Sequence, residues 1–501
     1  MLRDISLLLL SVATFALVPR TTAGSTLEAG TRLEVRLSTP TGSRTSHPGD
    51  RVDATVIAPV FEDGRLLIPQ GAIVSGIVVT AVRLGLGLKH VTSRIEYRFD
   101  SLQLPDRDPL PITARVMEVE TAKERVSVAG TISGIYPTAN LSSSVAFYAL
   151  PLLWIDPGVG LPILASKLVI ARSPDPEIYF PAGTEVILRL TAAANIPNSG
   201  TVSKLLAPVS AKDLADAQRI LAKLPQQRTN RAGNHPSDLV NILFLGGREP
   251  ITRAFHAAGW EGAQGRSLRS LYRMYHCMVQ RIGYTAAPMG NLTLNGVKAD
   301  VDYQKGLNTF SKRHHVRLWK QWQRDAWLGA ATEDVGYKLR RMHLTHATDP
   351  LIDNERAKVL NDLAFTGCLD AATLVPRDSF DPPGQHERAL VTDRKLLVLR
   401  VSDCLNPRTM DSKATTSGPR ERPRSVQVLV ALRNDLIRIN PISLAYNSAR
   451  ALRHSQAATK EPTPGITLNR KKTDASESSI QPSWMRPTVL DVTTTVNTPH
   501  P

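Results

Sequence analysis

Gly30-Thr31-Arg32-Leu33-Glu34-Val35-Arg36-Leu37 and Gly183-Thr184-Glu185-Val186-Ile187-Leu188-Arg189-Leu190 are two versions of one pattern set far apart in a chain of 501 residues. Each opens on Gly-Thr, and the first then alternates polar and aliphatic residues with period two, as a strand does when one face meets a core and the other meets water. The two runs bracket short strand-like segments cut by Gly, Pro and Asp. Their matching form predicts that the first and last strands pair, or hold equivalent places in a barrel. Between them, His47-Pro48-Gly49-Asp50 makes a turn, Val52 to Val60 a strand, and Leu67-Ile68-Pro69-Gln70-Gly71 a second turn before Ile73 to Val79.

That succession of a Gly-Asp turn, a strand, an Ile-Pro-x-Gly turn and a strand resembles the small β-barrels of envelope proteins, including the barrel of type IV secretion channel subunits. The resemblance covers about fifty residues in the turn-and-strand register. It implies a binding or scaffold role and brings no catalytic residue with it. Residues 26–196 are accordingly expected to form a β-rich, barrel-like domain.

Towards the N-terminus, Met1-Leu2-Arg3-Asp4, an apolar stretch from Ile5 to Val18 and Thr21-Thr22-Ala23 have the layout of a secretory signal over residues 1–23, with cleavage expected after Ala23 and an uncleaved anchor as the alternative. The segment Val145 to Ile170 is also apolar, but Pro151, Asp156, Pro157 and Pro162 interrupt it. No run in it approaches the roughly 20 residues of a spanning helix, so a buried insertion or a membrane-surface hairpin is expected.

Towards the C-terminus, Ser210-Ala211-Lys212-Asp213 opens a helix to about Leu224, and Gln226 to Pro236 reads as a polar linker, so residues 203–236 are expected to be helix and linker. Beyond it, Asp238 to Gly247 reads as a strand with a Gly-Gly turn, Ile251 to Trp260 and Ser267 to Ile282 as helices, and Asp349-Pro350 as the start of a helix through Leu363. Short alternating runs between them predict an α+β domain with an antiparallel sheet.

Within it stand Asn241-Ile242-Leu243-Phe244-Leu245-Gly246, Ala257-Ala258-Gly259-Trp260, Arg313-His314-His315-Val316-Arg317-Leu318-Trp319 and Trp327-Leu328-Gly329-Ala330-Ala331-Thr332. With His346, Asp349-Pro350 and Asp353-Asn354-Glu355-Arg356, these resemble the LssY C-terminal domain family over residues 237–406. Members of that family stand alone or are fused to membrane proteins, including type 2 phosphatidic acid phosphatases. The phosphatase signature, with its Pro-Ser-Gly-His loop, is missing from this chain, so lipid phosphatase activity does not come with the resemblance.

The candidate site residues are His314, His315, Arg317, His346 and Asp349, with His343, Asp353 and Glu355 nearby in sequence. Imidazole with carboxylate suits general acid/base work or a divalent metal, and arginine suits an anionic substrate. Alternation puts His315 and Arg317 on one strand face and His314 on the other with Val316 and Leu318. The plainer expectation is a buried histidine bonded to Asp349 at the helix start and an arginine paired to Glu355. Trp319, Trp322 and Trp327 are expected in packing, and Asp334 facing the same pocket or ending a strand.

Lysine and arginine number 61 against 45 aspartate and glutamate, a formal net charge of +16. The excess favours anionic partners, an envelope component or a membrane surface, and no helix-turn-helix, zinc-finger or aromatic RNA-binding signature puts nucleic acid among them. Cys277, Cys368 and Cys404 lack metal-type spacing and are expected as small buried residues, with one bridge and one leftover thiol the alternative in an oxidising compartment. Residues 407–454 hold an amphipathic stretch, expected to dock on the second domain, and residues 455–501 are too polar to order themselves. Two readings stand: an envelope module that binds an anionic partner, and an envelope hydrolase of phosphoesters or similar anions using the His/Asp/Arg cluster. The residues fix no cofactor, metal identity or oligomeric state.

Overall fold

A computed structural model describes residues 25–62, 65–85, 91–119, 124–134, 176–196, 206–223, 228–231, 235–280, 284, 286–306, 312–321, 325–340, 343–377, 390–407 and 424–439, together with 155, 156, 158 and 162. The expected leader, nearly all of the apolar stretch 145–170 and the tail 455–501 lie outside the described residues.

Six long strands close into a barrel: β1 (Arg32–Leu37), β2 (Arg51–Val56), β3 (Ile73–Val82), β4 (Arg94–Gln103), β5 (Leu110–Val119) and β6 (Glu185–Leu190). The order is β4-β3-β2-β1-β6-β5, with β5 returning to β4. The two Gly-Thr strands do pair, antiparallel, with Leu33 opposite Leu188 and Arg36 opposite Glu185. Period two fills the interior: Leu33, Val35, Val52, Ala54, Val74, Val78, Phe99, Val116 and Leu188 are all buried in one core. Gly76 sits at a register shift where β3 crosses β4 so closely that a Cβ would lie 2.1 Å from the Arg98 carbonyl oxygen, a place only glycine fits.

The second part is a mixed sheet flanked by helices. After α1 (Ala211–Ala222) come β7 (Arg228–Arg231), β8 (His235–Leu239), β9 (Ile242–Leu245), α2 (Arg248–Ala257), β10 (Glu261–Gly262) and α3 (Leu268–Gln280). Then follow β11 (Thr293–Leu294), β12 (Val297–Lys298), β13 (Val301–Gly306), β14 (Lys312–Gln321), β15 (Ala326–Arg340), β16 (His343–Thr348), α4 (Ile352–Phe365), β17 (Leu369–Pro376) and β18 (Lys395–Val401). The main sheet runs β10-β13-β14-β15-β9-β18-β17 with β16 on the far part of β15, antiparallel except for the β9–β18 pair. Strands β8-β7-β11-β12 form a separate small sheet. One face of the main sheet packs Phe244, Val316, Leu318 and Leu399 against α2 and α4, and the other packs Leu243, Trp319, Leu328 and Val398 against α1.

Three expectations change. The expected linker from Gln226 to Pro236 holds all of β7 and the start of β8, and Thr229 within it is buried with its hydroxyl donating to the Asp238 carbonyl. Helix α4 begins after Leu351 rather than at Pro350, with Asp349 accepting a hydrogen bond from the Leu351 amide (3.0 Å) just ahead of it. Two of the three cysteines are joined: Cys368 and Cys404 form a disulfide with Cα atoms 5.0 Å apart, while Cys277 is a buried free thiol. The Ser210 cap is as expected, its hydroxyl accepting from the Asp213 amide.

Helix α4 is buried from Glu355 to Leu363 because the sheet covers one side and the barrel the other. Val359, Leu360 and Leu363 face the sheet core. Towards the barrel, Lys358 Nζ lies 2.9 Å from Glu185 Oε2, and the Asn361 carbonyl accepts from Gln70 Nε2. Glu185 is also paired with Arg36 and with Lys305 (2.6 Å), and Asp362 binds Lys305 (2.9 Å), Lys358 (3.3 Å) and the Trp260 indole N–H (2.9 Å). Burial by itself would raise the Asp362 carboxyl, but Lys305 and Lys358 beside it bring it below the usual aspartate range.

Helix α5 (Arg424–Ile439) meets the barrel rather than the second sheet: Arg433 donates to the carbonyls of Gly85 (2.8 Å) and Val91 (2.9 Å), between β3 and β4. Among the described residues, no helix is long and apolar enough to cross a membrane.

Candidate functional site

Strand β14 carries three of the five candidate residues through the middle of the main sheet, with β13 on one side and β15 on the other. Residue 314 stands opposite Lys305 and Glu333, residue 315 opposite Gln304 and Thr332, and residue 317 opposite Asp302 and Ala330. Because successive side chains leave a strand on opposite faces, the His-His pair is split between two environments. Both histidines are buried.

On the face covered by α2 and α4, His314 Nδ1 lies 2.7 Å from Glu355 Oε2, and its ring stands 6.3 Å from that of Trp260. Glu333 is its partner in register on β15. Ligand-capable atoms of His314, Glu333 and Glu355 lie within 4.8 Å of one another, so among the described residues this group could hold a metal. Lys305, beside His314 on β13, joins this cluster to the barrel network through Glu185 and Asp362.

On the opposite face Arg317 donates to Asp238 Oδ2 from Nη1 (2.8 Å) and to the Gly290 carbonyl from Nη2 (3.4 Å). The Thr332 hydroxyl lies 2.6 Å from His315 Nε2 and 3.4 Å from Asp238 Oδ2, and His315 Nδ1 is 3.8 Å from Asp334. Asp334 also accepts from Arg313. Burial pushes the Asp302 carboxyl up, and Arg317 across the strand pulls it back in part.

The order hydroxyl, imidazole, carboxylate in Thr332, His315 and Asp334 is that of a nucleophile, its base and an orienting acid. A nucleophile must be reached by its substrate, whereas Thr332 is 2% exposed and shares its hydroxyl with Asp238. This geometry ties three neighbouring strands together by internal pairing.

The five candidates therefore do not converge. His314 faces α4, His315 and Arg317 face the other way, and Asp349 holds the turn before α4 with its side chain while its amide donates to the Glu333 carbonyl. His346 lies in β16 opposite Tyr337, and its side chain falls outside the described residues, as does Trp322. The expected partners exchange: the buried histidine is bonded to Glu355 rather than Asp349, and the arginine to Asp238 rather than Glu355. Asp334 does face the His315 cluster, and Trp319 and Trp327 do pack in the cores. Asp238, Thr332 and Glu333 were missed as site residues, because their nearness to β14 depends on strand register.

Residues 221–394 match the family model described as the LssY C-terminus, bearing out the resemblance; the match starts earlier than the expected 237, ahead of β7 and β8, and stops at 394 where 406 was expected. A solved structure similar to this chain is that titled "Structure of ComB10 of the Com Type IV secretion system of Helicobacter pylori". It is 13% identical, covering 34% of this chain and 91% of that one, with a TM-score of 0.20, a likeness too slight to bear on function. The comparison with curated proteins returns no match.

Proposed function

We propose that this protein is an exported envelope module that binds a phosphate-bearing anionic component through its barrel, with the LssY C-terminal-like part acting as scaffold. The observation that carries this reading is a row of arginines. Arg189 on β6 stands directly opposite Arg32 on β1 and Arg115 on β5, and the neighbouring Phe99–Ala114 pair sets Arg98 of β4 next in line. Directly opposed residues share a face about 5 Å apart, and like charges so placed repel one another. Such a row gains when an anion bridges it, and arginine offers phosphate a bidentate pair of donors. None of Arg32, Arg115 and Arg189 takes part in an ion pair that offsets it among the described residues, in contrast to Arg36, which is bound to Glu185 at the covered end of the same strand.

The Cys368–Cys404 bond supports an oxidising compartment, as does the leader expected over residues 1–23. The hydrolase reading requires two histidines and a carboxylate in one accessible site, and β14 sends the histidines to opposite faces. The test is sedimentation of the full chain with phosphatidylglycerol vesicles and with phosphatidylcholine vesicles. Binding to the first alone, fading as salt rises, is expected; equal binding to both would overturn the reading.

A further inference from the structure

We propose that His314, Glu333 and Glu355 form a buried site for one divalent metal of the zinc class, which cross-links β14, β15 and α4. The three residues come from three separate elements, and their ligand-capable atoms lie within 4.8 Å of one another. His314 and Glu333 are fixed as a cross-strand pair, and Glu355 is brought to them by the first turn of α4. One imidazole with two carboxylates is a donor set for a borderline ion such as zinc, where magnesium and calcium take oxygen alone.

A second observation points the same way. Glu355 is 3% exposed, and while its Oε2 meets His314, its Oε1 is buried with no hydrogen-bond partner among the described residues. A carboxylate oxygen taken out of water and left unsatisfied is destabilising, so the atom calls for a partner such as an ion. Zinc ligands arranged tetrahedrally at about 2.0–2.2 Å lie roughly 3.4 Å apart. Reaching that spacing needs the His314–Glu355 contact to open from 2.7 Å and the wider separations, at most 4.8 Å, to close.

The site is enclosed between the sheet and α4, and its three protein ligands leave the fourth position of a tetrahedral zinc to a water. It is independent of the arginine row, which lies on the barrel, so either proposal can fail alone. A competing arrangement without metal is the direct His314–Glu355 contact kept as it stands, and it predicts no response to zinc.

The experiment uses the full chain with its disulfide intact, freed of metal by a chelator and then titrated with zinc chloride, with magnesium as a control. Metal content and melting temperature are read for the wild type, Glu333→Gln, Glu355→Gln and Cys277→Ala. One zinc per chain, a rise of about 5 °C or more in melting temperature, at least tenfold weaker binding in both glutamine variants and full retention in Cys277→Ala are expected. Glu333 is only half-buried, so Glu333→Gln keeps the test open should Glu355→Gln fail to fold. A wild type that neither retains zinc nor melts higher with it, or a folded Glu333→Gln chain that binds zinc as the wild type does, would overturn the proposal.

Discussion

Glu185 of β6 and Lys358 of α4, 173 positions apart in the chain, meet as an ion pair of 2.9 Å at the junction of barrel and sheet. Arg36, Lys305 and Asp362 complete the same buried network. Replacing such a network by apolar groups can be neutral, whereas removing one member strands charge in a medium that solvates it poorly. Lys358→Met and Glu185→Gln should therefore each lower stability by about 3–5 kcal/mol, and the double variant by less than the sum. Urea unfolding of the four proteins checks this, and additive losses would show that the pair is not a coupled unit.

The same network sets an acid limb. Asp362 is held below the ordinary aspartate value, so its contribution is present above the unfolded value of about 3.9 and is lost as pH falls through the lower folded value. Stability should drop steeply below about pH 4 in the wild type, and Asp362→Asn should flatten that slope while costing stability at neutral pH. Urea midpoints between pH 7 and pH 2 decide it; an unchanged slope in the variant would assign the acid limb elsewhere.

On the other face of β14, Arg317→Ala leaves Asp238 buried without its charge partner and removes the cation that offsets the raised Asp302. The expected loss is about 3 kcal/mol in chemical denaturation, since the arginine acts as a structural tie. A loss under about 1 kcal/mol would mean that Arg317 is free for another role.

The Cys368–Cys404 bond closes a separation of 36 residues. Thiol titration of the unfolded, unreduced chain should find one thiol, Cys277, and Cys368→Ala with Cys404→Ala should cost about 4 kcal/mol on loop-entropy grounds. Three titratable thiols in protein purified from an oxidising compartment would contradict the bridge.

Much of the frame was legible in the residues. The paired Gly-Thr strands showed because period-two alternation marks a half-buried strand whatever its partner, and the split of His314 from His315 followed from the same pleat. The roles of Asp238, Thr332 and Glu333 were not legible, because which residue stands opposite His314 or His315 depends on register between strands. The burial of Lys358 and Asp362 was not legible either, because their partners Glu185 and Lys305 come from other parts of the chain. Three cysteines allow three pairings, and only the packing of the Cys368 turn against the end of β18 selects one.

The most direct test of the central claim substitutes the arginine row itself. The triple variant Arg32→Gln, Arg115→Gln and Arg189→Gln is compared with the wild type for binding to phosphatidylglycerol vesicles at low salt. With about 1 kcal/mol for each basic residue at an anionic surface, affinity should fall by roughly a hundredfold while the melting temperature holds or rises. Unchanged vesicle binding by a folded triple variant would contradict the assignment of the barrel face as the binding surface.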